Sequence, residues 1–174
     1  MSVCLNIGSG QRKFTPTESM NWLNVDCQAK WTPDHVLDMS KHDDACWFAS
    51  NSADMIVLHH VLEHFGCGEA DSLLKECLRI LRPECPLLVF VPDMWSLSSM
   101  WREGRLDDQV FMTNVYGAYM GDEADRHKWG YTKDSLRDLL EFSGFGLVRP
   151  FNWRTIPGAD IAEDSWILGM EGVK

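Results

Sequence analysis

Residues 55–93 read MIVLHHVLEHFGCGEADSLLKECLRILRPECPLLVFVPD, and two runs within them decide the fold. Met55-Ile56-Val57-Leu58 and Pro86-Leu87-Leu88-Val89-Phe90-Val91 are unbroken apolar segments of strand length. A strand with one wet face alternates apolar and polar residues, so an unbroken run marks a strand covered on both faces. Between the two runs, Ala70, Leu73, Leu74, Cys77, Leu78 and Leu81 recur at helical spacing until Pro83 stops them. Strand, helix and strand in this order predict a parallel pair joined by a crossover helix.

The same alternation extends both ways. Upstream, Val3 to Ile7 reads as a strand ending in a glycine turn, Trp22 to Val25 as one ending at Asp26, and His35 to Leu37 as one ending at Asp38. Downstream, Leu136, Leu139 and Leu140 mark a helix that starts near Thr132 and ends at Gly144. Two last strands fall near 146–151 and 165–170. The expectation is one α/β domain over residues 1–174, with a mostly parallel seven-stranded sheet and helices on both faces. Gln11 to Asn21, interrupted by Pro16, is too short and broken for a full helix, so the first helix is expected to be shortened. Residues 94–131 are rich in Trp, Tyr and Met but keep only fragments of helical period. They read as an insertion covering the site.

Composition bounds the partners. At 45% hydrophobic and 24% charged the chain is that of a folded globule, and no apolar stretch has membrane-spanning length. Six cysteines without any C-x-x-C pair read as free thiols of a reducing compartment. With an N-terminus unlike a signal peptide, this predicts a cytoplasmic protein. A net charge of −10 without a basic stripe disfavours nucleic acid and anionic membranes.

In an open parallel sheet ligands bind beyond the carboxyl ends of the strands. The predicted strands deliver Gly8, Gly10, Asp26, Asp38, His59 and Asp93 to that rim. Glycines directly after a strand let a ligand approach the backbone, and an acid at the end of the next strand suits a ribose diol. A dinucleotide site asks for a third glycine where Lys13 stands, so NAD fits poorly. A cofactor without phosphates fits better.

The ordered series LNIGSG (5–10), WLNVD (22–26), VLDMS (36–40), SADMIVLHHVLEHF (52–65), LLKECLRILRP (73–83) and LLVFVPD (87–93) resembles the class I S-adenosylmethionine-dependent methyltransferases. Within them it is most similar to the small type-11-like members of bacteria and phages. HKWGYTKDSLRDLLEFSGF (127–145) extends the likeness. The resemblance implies a Rossmann-like fold and S-adenosyl-L-methionine as cofactor, with S-adenosyl-L-homocysteine as product. It implies that Gly8, Ser9 and Gly10 pass the methionine part, that Asp26, with Cys27 beside it, binds the ribose, that Asp38 and Met39 border the adenine, and that His59 lies beside the methionine moiety. Asn6 stands where the family usually has an acid, and is carried as a cofactor residue with that departure.

His127 and His60 are the candidate bases for a protonated acceptor, since imidazole titrates near neutrality. Asp93, Trp95, Trp129 and Tyr131 are candidates to line an acceptor pocket, although such aromatics more often serve a core or a homodimer contact. His60-Val61-Leu62-Glu63-His64 also matches the H-x-x-E-H string of a zinc metallopeptidase, which needs both histidines on one helix face. Histidines that cap and bond nearby loops explain the string better, and no metal is expected. The leading expectation is methyl transfer to an oxygen or nitrogen of a small-molecule or glycan-type acceptor. A non-catalytic cofactor-binding partner protein and a zinc peptidase are the alternatives.

Overall fold

A computed structural model describes residues 1–38, 48–118, 122–152, 156 and 165–174. Met39 and Cys46 lie outside them. Strands β1 (Ser2–Ile7), β2 (Met20–Asp26), β3 (His35–Val36), β4 (Met55–His59), β5 (Pro86–Pro92), β6 (Leu147–Pro150) and β7 (Ile167–Val173) form one seven-stranded sheet in the order β3-β2-β1-β4-β5-β7-β6. The first five run parallel, while β7 is antiparallel to both β5 and β6. Helices are α1 (Cys67–Ile80), α2 (Met94–Arg102), α3 (Asp108–Tyr116) and α4 (Lys133–Phe142). No helix among the described residues is long and apolar enough to cross a membrane.

The unbroken apolar runs have the predicted cause. Ile56, Leu58, Leu87 and Val89 point to one face of the sheet, where α1 buries Ala70, Leu73, Leu74, Cys77 and Ile80 and α4 buries Leu136 and Leu140. Val57, Leu88 and Phe90 point to the other, beside Cys4 and Trp22. Loop residues complete this second cluster: Phe14 meets Trp22 edge-on at 4.8 Å, and Ile156 joins from beyond β6. The shortening expected of the first helix is complete, since residues 8–19 contain no helix.

Side-chain amides replace the helix. The Asn24 side chain accepts from Phe14 N (2.9 Å) and Asn6 Nδ2 (3.0 Å), and donates to Phe14 O (3.1 Å) and Asp34 (3.1 Å). Asn6 Nδ2 also donates to Arg12 O at 2.9 Å. Both bonds need amide N–H groups, which an acid at position 6 would not supply.

The segment 94–131, left without assignment by its weak periodicity, contains α2 and α3. Asp93 and Asp107 cap them, their carboxylates accepting from Trp95 N and Gln109 N. α2 fully buries only Leu97 and α3 buries nothing, so neither shows a broad apolar stripe. Their aromatics pack on each other: Trp101 stacks on Phe111 at 4.6 Å, and its Nε1 donates to Asp108 at 2.6 Å.

The last strand lies three residues beyond its expected end. Met170 is buried opposite Val89, but Glu171 and Gly172 carry no apolar signal. Glu171 pairs with Arg149 across the β6–β7 ladder, and Gly172 leaves room for the Phe145 ring.

Candidate functional site

Strand order reverses between neighbours β1 and β4, so their carboxyl ends diverge into a crevice. Register then places the glycine loop. Ile7 lies opposite Val25, and Gly8 N and Ser9 N both donate to Val25 O, at 2.7 and 3.0 Å. The chain turns over Asp26, whose carboxylate accepts from Gly10 N at 2.7 Å and from Gln28 N at 2.8 Å. Gly8 has φ +69° and faces Val61, where an added Cβ would lie 2.3 Å from Cγ2. Gly10 has φ +48° and nothing within 4 Å of the same position, because it faces open space.

That space comprises two adjoining cavities. The larger, about 700 Å3, is bounded by Gly8, Gly10, Asp26, Cys27, Gln28, Trp31 and Asp38 on one side and by Val61, His64, Phe65 and residues 122–128 on the other. The smaller, about 490 Å3, lies against Asn6, Ser9, Arg12, Phe14, His59, Thr113 and Asn114. Gly8, Gly10, His60 and His127 line both. The structure thus brings together every described cofactor residue expected from sequence.

The four acceptor candidates lie outside these two cavities. Asp93 caps α2, accepting from Trp95 N (3.1 Å) and Ser96 Oγ (2.5 Å). Trp95 is 77% exposed, Trp129 is 50% exposed, and neither lines either of these two cavities. Tyr131 is buried in the core, its hydroxyl donating to Leu62 O at 3.4 Å. Asp93 and Tyr131 thus serve the fold.

Sequence reading weighed Glu63 only as a member of the H-x-x-E-H string; it is buried beside the opposite wall. Glu63 sits in a single 3-10 turn, Leu62–His64, and is 1% exposed. Its Oε1 accepts from His60 Nδ1 at 2.9 Å, its Oε2 has no partner, and its backbone carbonyl accepts from Lys128 N (2.8 Å) and Trp129 N (3.1 Å). Burial pushes the Glu63 carboxyl up, but the His60 hydrogen bond and the neighbouring imidazoles outweigh it and hold the group below its ordinary value. Burial lowers His127 and, with His60 alongside, takes His59 down to about 3. His64 and His127 meet edge-on at 4.7 Å.

The peptidase grip does not form. His60 has φ +55° and belongs to no helix, so His60 and His64 share no helical face. Sequence reading missed Gln28 and Trp31. Trp31 stands in a short 3-10 turn after β2 and offers the larger cavity an aromatic wall. An aromatic five residues beyond the ribose-type acid was the available signal.

Buried polar atoms without partners concentrate here. Of the five among the described residues, Ser9 Oγ, Gln28 Oε1 and His59 Nε2 belong to residues lining the two cavities, and Glu63 Oε2 to the carboxylate bonded to the cavity-lining His60; the fifth is Trp166 Nε1. Buried polar groups are normally satisfied, so this clustering points to a polar ligand in the crevice.

A family described as "Methyltransferase domain" matches residues 19–89. No curated protein matches the chain by sequence. In structure the chain is similar to a possible exported protein from Bordetella parapertussis (12% identity, TM-score 0.64, covering 99% of this chain and 61% of that one). It is similar to a SAM-dependent methyltransferase from Archaeoglobus fulgidus (14% identity, TM-score 0.62, 99% and 86%). A third similar structure is the Burkholderia thailandensis 1,6-didemethyltoxoflavin-N1-methyltransferase with bound 1,6-didemethyltoxoflavin and S-adenosylhomocysteine (16% identity, TM-score 0.57, 99% and 71%). At such identities the likeness establishes the fold.

Proposed function

Because the chain carries the fold and domain signature of the class I S-adenosylmethionine-dependent methyltransferases, we propose that it methylates an oxygen or nitrogen of a small-molecule or glycan-type acceptor. The observation that carries this reading is the cluster of unsatisfied buried polar atoms along a crevice already floored by Gly8, Gly10 and Asp26. The residues fit the cofactor. Each Asp26 oxygen has lone pairs beyond its one backbone bond, enough to accept from two vicinal ribose hydroxyls. Asp38 and Trp31 border the same cavity, where an adenine would meet a carboxylate and an aromatic face. When bound, the cofactor supplies a methyl group on a sulfonium; its C–S bond breaks as the bond to the acceptor forms, leaving S-adenosyl-L-homocysteine.

The chain's own work is positioning and proton removal. Glu63 accepts from His60 Nδ1, so in the neutral ring His60 Nε2 is the accepting nitrogen; His60 lines both cavities, the arrangement of an oriented base. His60 is therefore the residue assigned to take the acceptor's proton. The net charge of −10 favours an acceptor other than nucleic acid. One observation favours the non-catalytic alternative: Asn6 spends its amide on Arg12 O and Asn24, so the usual acidic anchor at the cofactor's amino end is missing.

Calorimetry with S-adenosyl-L-homocysteine, followed by turnover of S-adenosyl-L-methionine with an acceptor panel, tests both. Binding plus acceptor-dependent turnover, lost in His60→Asn with binding intact, is the expected result. Binding without turnover favours the non-catalytic reading, and absence of binding overturns both.

A further inference from the structure

Around Glu63, a carboxylate and two imidazoles turn ligand atoms toward a common point. His64 Nδ1 lies 3.0 Å from Arg126 O, and His127 Nδ1 lies 2.8 Å from Asn114 O. A carbonyl only accepts, so in each ring Nδ1 carries the hydrogen and Nε2 of the neutral imidazole is a bare acceptor. His127 Nε2 nevertheless faces the Glu63 carboxylate at 4.0 Å, and Glu63 Oε2 is buried without a donor. One ligand atom from each of Glu63, His64 and His127 lies within 4.8 Å of the others. Acceptors gathered in this way are stable around a cation. The two carbonyl bonds to Nδ1 and the His60 bond to Glu63 are also the outer contacts that orient metal ligands.

We propose that Glu63, His64 and His127 bind one divalent first-row transition ion, with His60 holding the carboxylate from behind. Two imidazoles and one carboxylate suit zinc, manganese or iron(II) and disfavour magnesium and calcium, which take oxygen ligands. Ligands on a common tetrahedral ion at about 2.1 Å stand roughly 3.4 Å apart, so the three groups need to draw in by little more than an ångström. His64 and His127 line the larger cavity, which gives the ion an entry path and leaves a face open to the crevice. The ion's use there rests on the methyl-transfer reading: it would hold an acceptor hydroxyl and lower its pKa, the proton passing to His60 Nε2. Its binding does not depend on that reading.

The test is titration of chelator-treated protein with Co2+, followed by the visible absorption of the bound ion, and then with Zn2+ and Mg2+ in competition. One equivalent of Co2+ per chain, displaced by Zn2+ but not by Mg2+, is expected. His64→Asn and His127→Asn should each weaken Co2+ binding by about 100-fold or more, at or beyond the upper end of what loss of an outer contact does. His35→Asn, remote from the cluster, should leave it unchanged. Substoichiometric binding, preference for Mg2+, or binding that survives both ligand substitutions overturns the site. Each variant's melting curve and its calorimetry with S-adenosyl-L-homocysteine, run in chelator, show whether it is folded; should one ligand variant unfold, the other decides. Because that calorimetry needs no metal, loss of the metal site and loss of the cofactor reading give separate results.

Discussion

The two walls of the crevice are built by different rules. The β1–β2 wall is local: Asp26 reaches Gly10 across 16 residues and Gln28 across two, and it works through backbone amides and one carboxylate. The facing wall joins distant segments, as His64 reaches Arg126 across 62 residues, and it works through imidazoles around a buried acid. The first wall has the means to recognise the shape of a nucleoside, and the second the means to move protons or hold an ion. On the proposed function, recognition is local and chemistry is long-range.

The sharpest way to break that division is Asp26→Ala. If the local wall alone holds the ribose, affinity for S-adenosyl-L-homocysteine falls by at least about 100-fold, because two hydrogen bonds to a charged acceptor go at roughly 1.5–3 kcal/mol each. A calorimetric loss below tenfold would move the nucleoside to the other wall. The place where the walls touch comes next. Gly8→Ala drives a Cβ into Val61 from a left-handed backbone, so urea unfolding should show a loss of about 2–4 kcal/mol; Gly10→Ala, with the strain alone, should lose about 1 kcal/mol. Equal losses would mean that the walls do not meet at Gly8.

A smaller effect concerns pH. Burial, with His60 alongside, depresses His59 from 6.5 to about 3, so between those values the unfolded chain binds a proton that the folded one refuses. Stability therefore falls as pH drops from about 6.5 toward 3, and His59→Leu should flatten that part of the profile in denaturation curves at pH 7 and pH 5. An unchanged slope would show that His59 is not kept neutral. The smallest effect belongs outside both walls. Trp95→Ser should change stability by no more than about 0.5 kcal/mol and leave cofactor affinity unaltered, which a single melt and one titration check.

The same division explains what could be read from the chain. The buried runs at 55–58 and 86–91 announce central parallel strands because burial on both faces leaves a one-dimensional trace. Gly8, Gly10 and Asp26 were legible because their spacing along the chain is their spacing in space. Glu63 was legible only as a member of H-x-x-E-H: the string looked helical, but the chain takes a positive φ at His60, and the segment bonded to the Glu63 carbonyl arrives from residues 128 and 129. Trp95, Trp129 and Tyr131 fall outside the two cavities, and composition alone does not separate aromatics that bind from aromatics that pack. Asn6 was legible as a departure, but its reason, an amide standing in for a missing helix, lies in Asn24 and Phe14.

The antiparallel β7 has a consequence for how the chain acquires its structure. It pairs with β5 from Pro86↔Val173 to Pro92↔Ile167, a ladder closed across most of a hundred residues, and it alone joins β6 to the sheet. During synthesis β1 to β5 can pair as they emerge, but β5 then presents a long apolar edge until residues 167–173 leave the ribosome. The late closure makes this ladder the expected slow step of folding, and the nascent chain is most open to aggregation just before its last strand arrives.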